Sequence, residues 1–481
     1  MGEEILYSHF KRSDFSGFEK RLRQETSLLQ EMFDTGKLSD RELVAGYELE
    51  ACLIDRQQRP RPDNELLLSY ADDPLLSPEL ARFNFELNAE PVPLEADTIQ
   101  RFHTGIDDLW QRCQHQAETF DNDILGIGIL PTLVDADLTL DNISTLDRYR
   151  ALNEQVLRLR KGETIELNIV GEEKLVSRHM DVMLEAAATS LQIHLQVPQQ
   201  RAVRYYNASL LLSAPMVAVS ANSPFLFGKR LWEETRIPVF EQSVPSGGFG
   251  GASHGPIQRV GFGMGYARHS LAECFLENLQ HHPVMLPICF ETDASALHHL
   301  RLHNGTIWRW NRPLIGFDED GTAHVRIEHR VCACGPSSAD NMANMAFFFG
   351  LAHYYARLTD PAEEQIDFTR CRTNFYDAAR HGIGTHIDWT DGYHGRLDKL
   401  VLDRLLIECE TGLHKLGIYQ EDIDRYLGII DERVRSGQTG SDWQRRFADA
   451  HDDDMTLLTK TYLKNQQSGR PVHEWDLAAS H

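Results

Sequence analysis

The chain has 481 residues, 42% of them hydrophobic, which is enough to bury a large core and allows two to four domains. It carries 48 Lys and Arg against 72 Asp and Glu, a formal net charge of −24. This acidic balance argues against a nucleic-acid or anionic-membrane partner, because both require a basic face.

The N-terminal segment and the cysteines indicate the cellular compartment of the protein. The sequence MGEEILYSHFKRSDF lacks the apolar core of a secretory signal. The most apolar run, Leu210 to Phe227, is interrupted by two prolines and by Ser213 and Asn222, so it is too polar to span a bilayer. Eight scattered Cys suit a reducing compartment. We therefore predict a cytoplasmic protein with no membrane segment.

The first predicted element is a helix from about Asp14 to Asp34, because large apolar residues recur there at helical spacing. Ser16 and Glu19 are predicted to form a capping box at its start. Gly36 is the predicted stop just after its end.

The elements that follow mix strands and helices. Predicted strands are Leu43–Ile54, Phe83–Leu87 and Leu191–Val197, and predicted helices are Ala96–Phe120, Tyr205–Val219 and Met342–Tyr355. The pattern is helical after about Leu397, and the last forty residues are polar and expected to end in a poorly ordered tail. Strands and helices alternate without βαβ rhythm, which favours an α+β fold with an antiparallel sheet.

The most informative pattern is a set of acidic residues inside apolar strands. In LVAGYELEACLI, Glu48 and Glu50 are two residues apart and therefore point to the same face of a strand. Two carboxylates on a face otherwise built of apolar residues repel each other and lose hydration unless a cation lies between them. The alternative is that an E-x-E pair simply decorates a solvated strand edge.

Three further strands offer polar groups from one face. These groups are Glu86 in the second predicted strand, Gln192 with His194 in the third, and Glu328 with Arg330 in AHVRIEHRV. Oxygen-rich ligation suits Mg²⁺ or Mn²⁺ better than zinc. An arginine beside such ligands is what phosphoryl transfer requires. Taken singly, a strand histidine such as His194 is more often a structural group than a metal ligand, and Glu328 with Arg330 is as often a simple ion pair.

Together these segments resemble glutamate–cysteine ligase family 2 and related carboxylate–amine ligases, which share a glutamine-synthetase-like catalytic fold. The matching pieces are GYELE (Gly46–Glu50), FELN (Phe85–Asn88), LQIHLQV (Leu191–Val197), SAPMVAVSANSPFLFGK (Ser213–Lys229), NGTIWRWNRP (Asn304–Pro313) and RIEHRVCACGPSSADNMAN (Arg326–Asn344). They extend over about three-quarters of the chain, in the order found in the family.

The resemblance implies a curved antiparallel sheet flanked by helices, with a helical C-terminal region. It divides the chain into a catalytic domain, residues 1–395, and a helical region packed on it, residues 396–481. It also implies an ATP- and Mg²⁺-dependent ligase, with Mn²⁺ as an alternative metal, that acts on small molecules and is compatible with a homo-oligomer. The implied metal ligands are Glu48, Glu50, Glu86, His194 and Glu328.

Other roles follow from the same resemblance. Arg330, with Glu328, is the implied catalytic pair, and Gln192 is a further polar contact. Arg309 and Arg312 are candidates for a substrate carboxylate or phosphate, because arginine binds either in a bidentate manner; the alternative is that they are surface arginines beside packed tryptophans.

Asn222 and Ser223 resemble loop residues near the substrate, although such an Asn is as often a turn former. The Gly-rich stretch Ser246–Gly265 departs from the family pattern. It is not a Walker A loop, since no G-K-[ST] follows. Its composition suits a mobile lid with Arg259 and Arg268 available for an anion, or simply an exposed flexible loop.

The implied reaction joins a glutamate-like carboxylate to an amine through an acyl phosphate. Cysteine is the default amine, and the Gly-rich departure puts that default in doubt. Two other functions remain open: a phosphotransferase on the same fold that phosphorylates an amine or guanidine, and a non-catalytic protein that binds a nucleotide or an amino acid.

Overall fold

The fold is built on a large antiparallel sheet, seen in a computed structural model that describes residues 10–245 and 258–479. The strands are β1 Val44–Asp55, β2 Leu76–Pro78, β3 Asn84–Asn88, β4 Val92–Pro93, β5 Asn122–Leu125, β6 Ile165–Val170, β7 Lys174–His179, β8 Ser190–Val197, β9 Phe225–Leu226, β10 Lys229–Arg230, β11 Val260–Gly261, β12 Trp308–Arg309, β13 Asn311–Phe317, β14 Ala323–Ala333, β15 His386–Asp388 and β16 His394–Arg396.

The helices cover this sheet and form the C-terminal part of the chain. They are α1 Arg12–Asp34, α2 Asn64–Ala71, α3 Thr98–Glu118, α4 Asp147–Leu159, α5 Ala202–Val219, α6 Arg236–Ser243, α7 Ala272–His281, α8 His298–Gly305, α9 Ser338–Ala356, α10 Ala362–Gln365, α11 Phe368–His381, α12 Leu397–Leu400, α13 Leu406–Lys415, α14 Gln420–Ser436, α15 Gly440–Ala450 and α16 Met455–Gln467. A π-helical turn, Val401–Leu405, joins α12 to α13.

The main sheet has the strand order β13–β14–β8–β1–β3–β2, and β4 and β5 also pair with β1. Every pairing in this sheet is antiparallel. The sheet is curved and flanked by helices, so the predicted α+β fold is confirmed. The predicted strands at residues 43–54, 83–87 and 191–197 correspond to β1, β3 and β8 within one or two residues.

The two faces of the sheet differ in chemistry. Tyr47 and Leu49 of β1 are buried, and the Tyr47 ring meets Phe102 of α3 edge to face at 5.4 Å. Glu48 and Glu50 alternate with these residues and therefore lie on the opposite face. Helices α5 and α9, which are buried on almost every side, pack against each other, and α5 packs on β14.

Helix α1 begins at Arg12, and its cap differs from the prediction. The Asp14 carboxylate accepts the backbone N–H of Lys11 at 2.7 Å, whereas Ser16 lies inside the helix and its hydroxyl donates to the Arg12 carbonyl. The predicted capping box of Ser16 and Glu19 is therefore wrong. The predicted stop is confirmed, because Gly36 has a φ of +65°, which glycine adopts without strain.

The C-terminal region is helical through α16. The prediction that the chain ends in a poorly ordered tail is wrong as far as residue 479. Trp443 of α15 is fully buried, with its ring centroid 5.9 Å from that of Tyr462 in α16 and 5.3 Å from that of Trp475. A few large aromatic residues anchor this polar segment in the core, and the average polarity of its sequence does not reveal them. The domain bound at residue 395 stays a prediction.

Helices α9 and α13 approach each other closely at a pair of glycines. A Cβ built on Gly412 would lie 1.9 Å from the carbonyl oxygen of Gly350. No side chain fits between two backbones at this distance.

Residues 246–257 of the Gly-rich stretch lie outside the described residues. The described end of that stretch includes β11, which pairs in parallel with β12. In the parts of the chain that are described, we find no helix both long and apolar enough to cross a membrane.

Candidate functional site

The polar face of the sheet brings the predicted acidic residues together through strand register. Glu50 pairs with Glu86 across β1 and β3, Glu48 with Gln192 across β1 and β8, and Glu328 with His194 across β14 and β8. Directly opposed residues on one face have Cβ atoms about 5 Å apart. Side chains that are far apart in sequence therefore converge in two groups.

The first group contains Glu48, His194 and Glu328, whose ligand atoms lie within 4.8 Å of one another. His194 Nε2 is 3.3 Å from a Glu48 oxygen and 3.8 Å from a Glu328 oxygen. Burial lowers the pKa of His194 to about 4, so the ring is neutral near pH 7 and can donate a lone pair. His194 Nε2 and Glu48 Oε2 are buried, and neither has a hydrogen-bond partner among the described residues.

The second group contains Glu50, Glu79 and Glu86, also within 4.8 Å of one another. Burial, together with neighbouring carboxylates, raises the pKa of Glu79 to about 8 and that of Glu86 well above its usual range. Ser77 Oγ donates a hydrogen bond to Glu86 at 2.9 Å, and among residues 10–245 and 258–479 the other oxygen of Glu86 has no partner. Such a group is unfavourable unless a cation lies within it.

The donor set fits divalent cations that prefer oxygen. Five carboxylates and one neutral imidazole form the two groups, and several of their lone pairs have no donor in the part of the chain that the structure describes. Mg²⁺ and Mn²⁺ accept this mixture, whereas structural zinc sites are usually rich in Cys and His. The residues present therefore fit the predicted metal site.

Two arginines accompany the first group. Arg312 of β13 binds Glu328 in a bidentate manner, at 2.8 and 2.9 Å. Arg330 contacts Glu328 at 3.1 Å and also donates to Gln192. Burial alone would raise the pKa of Glu328, but Arg312 and Arg330 outweigh it and hold that pKa well below its usual range. The carboxylate is therefore an anion near pH 7.

Members of both groups, Glu328 from the first and Glu50 and Glu79 from the second, line a cavity of about 540 Å³. Arg312 and Arg330 belong to the same lining. Apolar side chains from α4, α6, α8 and several connecting segments line the rest of the cavity, together with Arg148 of α4 and Arg301 of α8.

Five charged residues that line the cavity were not identified from the sequence: Glu79, Arg148, Glu185, Arg301 and Arg326. Arg326 lies on β14 two residues before Glu328, so the alternation that singled out Glu328 and Arg330 also points to it. Glu79 follows the short strand β2, and Glu185 lies on the 3₁₀ turn Met183–Ala187. Neither stands in an alternating pattern, so no local signal marked them.

The remaining predicted arginines lie elsewhere. Arg309 is buried and binds Glu277 and Asn278, at 2.6 Å each, beside a separate cavity of about 130 Å³. Arg259 is also buried and donates to Thr306. Arg268 is exposed. The structure thus places Arg312, but none of these three, in the charged cavity.

Asn222 and Ser223 are buried within protein contacts and are not among the residues that line the cavity. The Asn222 amide donates to the Cys334 carbonyl and to Tyr462, and Ser223 donates to Glu234. Here the alternative interpretation is favoured, because these side chains stabilise the turn after α5.

Comparison with solved structures supports the same fold. Glutamate–cysteine ligase from Francisella tularensis, in complex with AMP, is 12% identical with a TM-score of 0.52, over 92% of this chain and 91% of that one. A bifunctional glutathione synthetase from Pasteurella multocida is 11% identical with a TM-score of 0.54, over 93% of this chain and only 55% of that one. A comparison with curated proteins gives no match.

The sequence profile described as glutamate–cysteine ligase family 2 matches residues 44–461, which is most of the chain. This range contains both acidic groups and also Arg312 and Arg330. The chain therefore belongs to glutamate–cysteine ligase family 2, a family of carboxylate–amine ligases.

Proposed function

We propose that the protein uses ATP to activate the γ-carboxylate of glutamate as an acyl phosphate and joins it to an amine, with cysteine as the default acceptor. The observation that carries this proposal is the convergence of two groups of carboxylate and imidazole side chains within the main sheet, from which Glu50, Glu79 and Glu328 line one cavity together with Arg312 and Arg330. The AMP bound in the Francisella tularensis ligase supports a nucleotide as one substrate.

The metal ligands in this proposal are the two acidic groups. Glu48, His194 and Glu328 would hold one ion, and Glu50, Glu79 and Glu86 another. Mg²⁺ bound there supplies positive charge that neutralises phosphate oxygens during phosphoryl transfer. The carboxylates themselves keep anionic substrates from binding in the absence of metal, since like charges repel.

Arg330 and Arg312 are the residues proposed to stabilise the transferring phosphoryl group. Charge grows on its equatorial oxygens in the transition state, and donors fixed in advance lower the barrier. Glu328 fixes both guanidinium groups, because each one hydrogen-bonds to it. Gln192 holds Arg330 from the other side, so we propose it as a positioning residue.

The proposed chemistry has two steps. A γ-carboxylate oxygen forms a bond to the γ-phosphorus of ATP, and ADP leaves. The amine nitrogen then forms a bond to the acyl carbon, the bond from that carbon to the phosphate oxygen breaks, and an amide and phosphate are released. The enclosing wall excludes water, which would otherwise hydrolyse the acyl phosphate.

Three roles outside the cavity stay predictions. Arg309, Arg259 and Arg268 remain candidate substrate contacts, although the first two already bind protein groups. We also propose that the catalytic unit extends to about residue 395, with the C-terminal helices packed on it.

The direct test measures ADP release by the purified protein with ATP, Mg²⁺ and glutamate, without and with cysteine. We expect little ADP without the amine, faster release with it, and a γ-glutamyl amide as product. Glu48→Gln should lose this activity, whereas Glu166→Gln, the same change on the exposed strand β6, should keep it. A phosphorylated amine as product would indicate a phosphotransferase. Nucleotide binding without turnover, over a panel of carboxylates and amines, would indicate a binding protein.

A further inference from the structure

Strand β14 contains a bulge at Arg330, one of the arginines that line the charged cavity. Regular pairing with β8 stops at His329 and resumes at Cys332, an interval of three residue steps on β14 but only two on β8. Arg330 and Val331 therefore lie opposite one residue, Gln192. An extra residue of this kind bends a strand and changes the direction of its side chains.

The bulge ends the polar face of β14 at Arg330. Along a regular strand, Glu328, Arg330 and Cys332 would all point to the same face. The extra residue turns Cys332 to the opposite face, where it pairs with Leu191 and is fully buried. The direction of Arg330 thus depends on the shape of the bulge, because a slip of one residue exchanges the two faces of a strand.

Arg236 of α6 binds both carbonyl groups of this bulge. Its two terminal nitrogens donate to the Arg330 carbonyl at 3.3 Å each, and one of them also donates to the Val331 carbonyl at 2.5 Å. Buried carbonyl groups that leave a strand ladder need another donor. Arg236 is 2% exposed, and Glu234 balances its charge with an oxygen 3.5 Å from Nε.

Two aromatic residues complete the environment of the bulge. The backbone N–H of Arg330 donates to the Trp310 carbonyl at 2.9 Å, and the centroid of the Trp310 ring lies 5.5 Å from the guanidinium carbon of Arg236. Phe240, one helical turn after Arg236, has its ring centroid 5.8 Å from the guanidinium carbon of Arg330. The described residues that line the cavity include Phe240 but not Arg236, so Arg236 is placed to act through Arg330.

We propose that Arg236 is a positioning residue: it fixes the bulge of β14 and thereby the direction in which the Arg330 side chain enters the cavity. This inference rests on the proposed function, in which Arg330 stabilises the transferring phosphoryl group. A donor lowers the barrier only where it stands ready at the oxygen on which charge grows. A tilt of the Arg330 backbone therefore slows phosphoryl transfer without weakening the binding of ATP or glutamate.

The kinetic test is Arg236→Lys, which keeps the charge beside Glu234 but cannot donate to two carbonyl groups in a fixed fork. We expect kcat in the ADP assay to fall about tenfold or more, while KM for ATP and for glutamate changes less than about threefold. The matched control is Arg433→Lys. Arg433 is also 2% exposed and donates to the Val219 carbonyl and to Asp340, none of which lines the cavity. The control variant should lose stability in the same way but keep kcat within about twofold.

Two further measurements separate positioning from stability. Arg330→Gln removes one donor to the transition state, which typically costs about 100- to 1000-fold in kcat and leaves activity that can be measured. Adding Arg236→Lys to it should lower kcat less than about twofold further, because the side chain that Arg236 positions is gone. Hydrogen exchange needs no activity: the amides of residues 330–333 should exchange about tenfold faster in Arg236→Lys, with no change in β6 or β7.

Several results would overturn the inference. They are an unchanged kcat in Arg236→Lys, an equal fall in Arg433→Lys, the same fall in kcat with and without Arg330, and unchanged exchange at residues 330–333. A higher KM for ATP or glutamate at unchanged kcat would overturn it too, because it would indicate a direct substrate contact. If the wild type releases no ADP with any nucleophile, the proposed function itself fails, and the exchange measurement alone then decides whether Arg236 holds the bulge.

Discussion

Replacing Glu328 by Gln should destabilise the fold as well as stop the reaction. The side chain of Glu328 is completely buried, and that of Arg312 is 2% exposed. The substitution removes the negative charge that compensates two buried guanidinium groups and disturbs hydrogen bonds of 2.8, 2.9 and 3.1 Å. Removing one partner of a buried ion pair typically costs about 3–5 kcal/mol, so we expect a loss of about 3 kcal/mol or more in the free energy of unfolding.

The measurement is urea unfolding followed by tryptophan fluorescence, and a double-mutant cycle isolates the pair. Arg312→Met combined with Glu328→Gln should be more stable than the sum of the single losses predicts, by about 1–3 kcal/mol, because the unpaired guanidinium of Arg312 is gone. Glu166→Gln is the matched surface control. A Glu328→Gln variant within about 1 kcal/mol of the wild type would refute the view that this carboxylate compensates buried charge.

Three further outcomes are expected. The pKa of Glu79 is raised to about 8 and that of Glu86 is raised too, so in the metal-free protein the stability that these two groups contribute is fully present below the ordinary glutamate pKa of 4.5 and is lost as pH rises towards 8. Mg²⁺ should therefore raise the Tm more near pH 8 than near pH 5, and an equal rise would contradict the two-group arrangement. Gly412→Ala should destabilise the fold by about 1–3 kcal/mol in urea unfolding, because its Cβ meets a backbone carbonyl, whereas Gly428→Ala in α14, with open space around it, should stabilise the fold by up to about 1 kcal/mol. Arg326 lines the same cavity, so Arg326→Gln should raise KM for ATP about tenfold in the ADP assay with little change in Tm, and an unchanged KM would show that Arg326 does not contact the nucleotide.

Much of the site was predictable because strand alternation is a local property. Glu48 and Glu50 share a face by spacing alone, and the same spacing places Glu328 beside Arg330. The division of these side chains into two groups was not predictable, because it depends on which strands pair and in which register. A shift of one residue between β8 and β14 would turn His194 away from Glu328.

The residues that the sequence did not reveal share a different property. Glu79 and Glu185 stand on short connecting segments, where side-chain direction is set by packing and has no period. Arg309 is the opposite case, because the sequence predicted it as a substrate contact and the structure places it away from the charged cavity. It lies in the same motif as Arg312, but the short parallel pairing of β11 with β12 and the contact with Glu277 hold it beside another cavity.

Glu328 has to serve two sets of partners, and the geometry shows how it does so. Its Oε2 accepts from Arg312 and Arg330, which uses both lone pairs of that oxygen. Within residues 10–245 and 258–479, its Oε1 accepts only from Arg312. One lone pair therefore remains on Oε1, the oxygen 3.8 Å from His194 Nε2. The arginines thus occupy one oxygen completely and leave the other for a cation shared with His194 and Glu48. A neutral amide at this position would have one acceptor atom for both tasks, so it could satisfy either the arginines or the metal but not both.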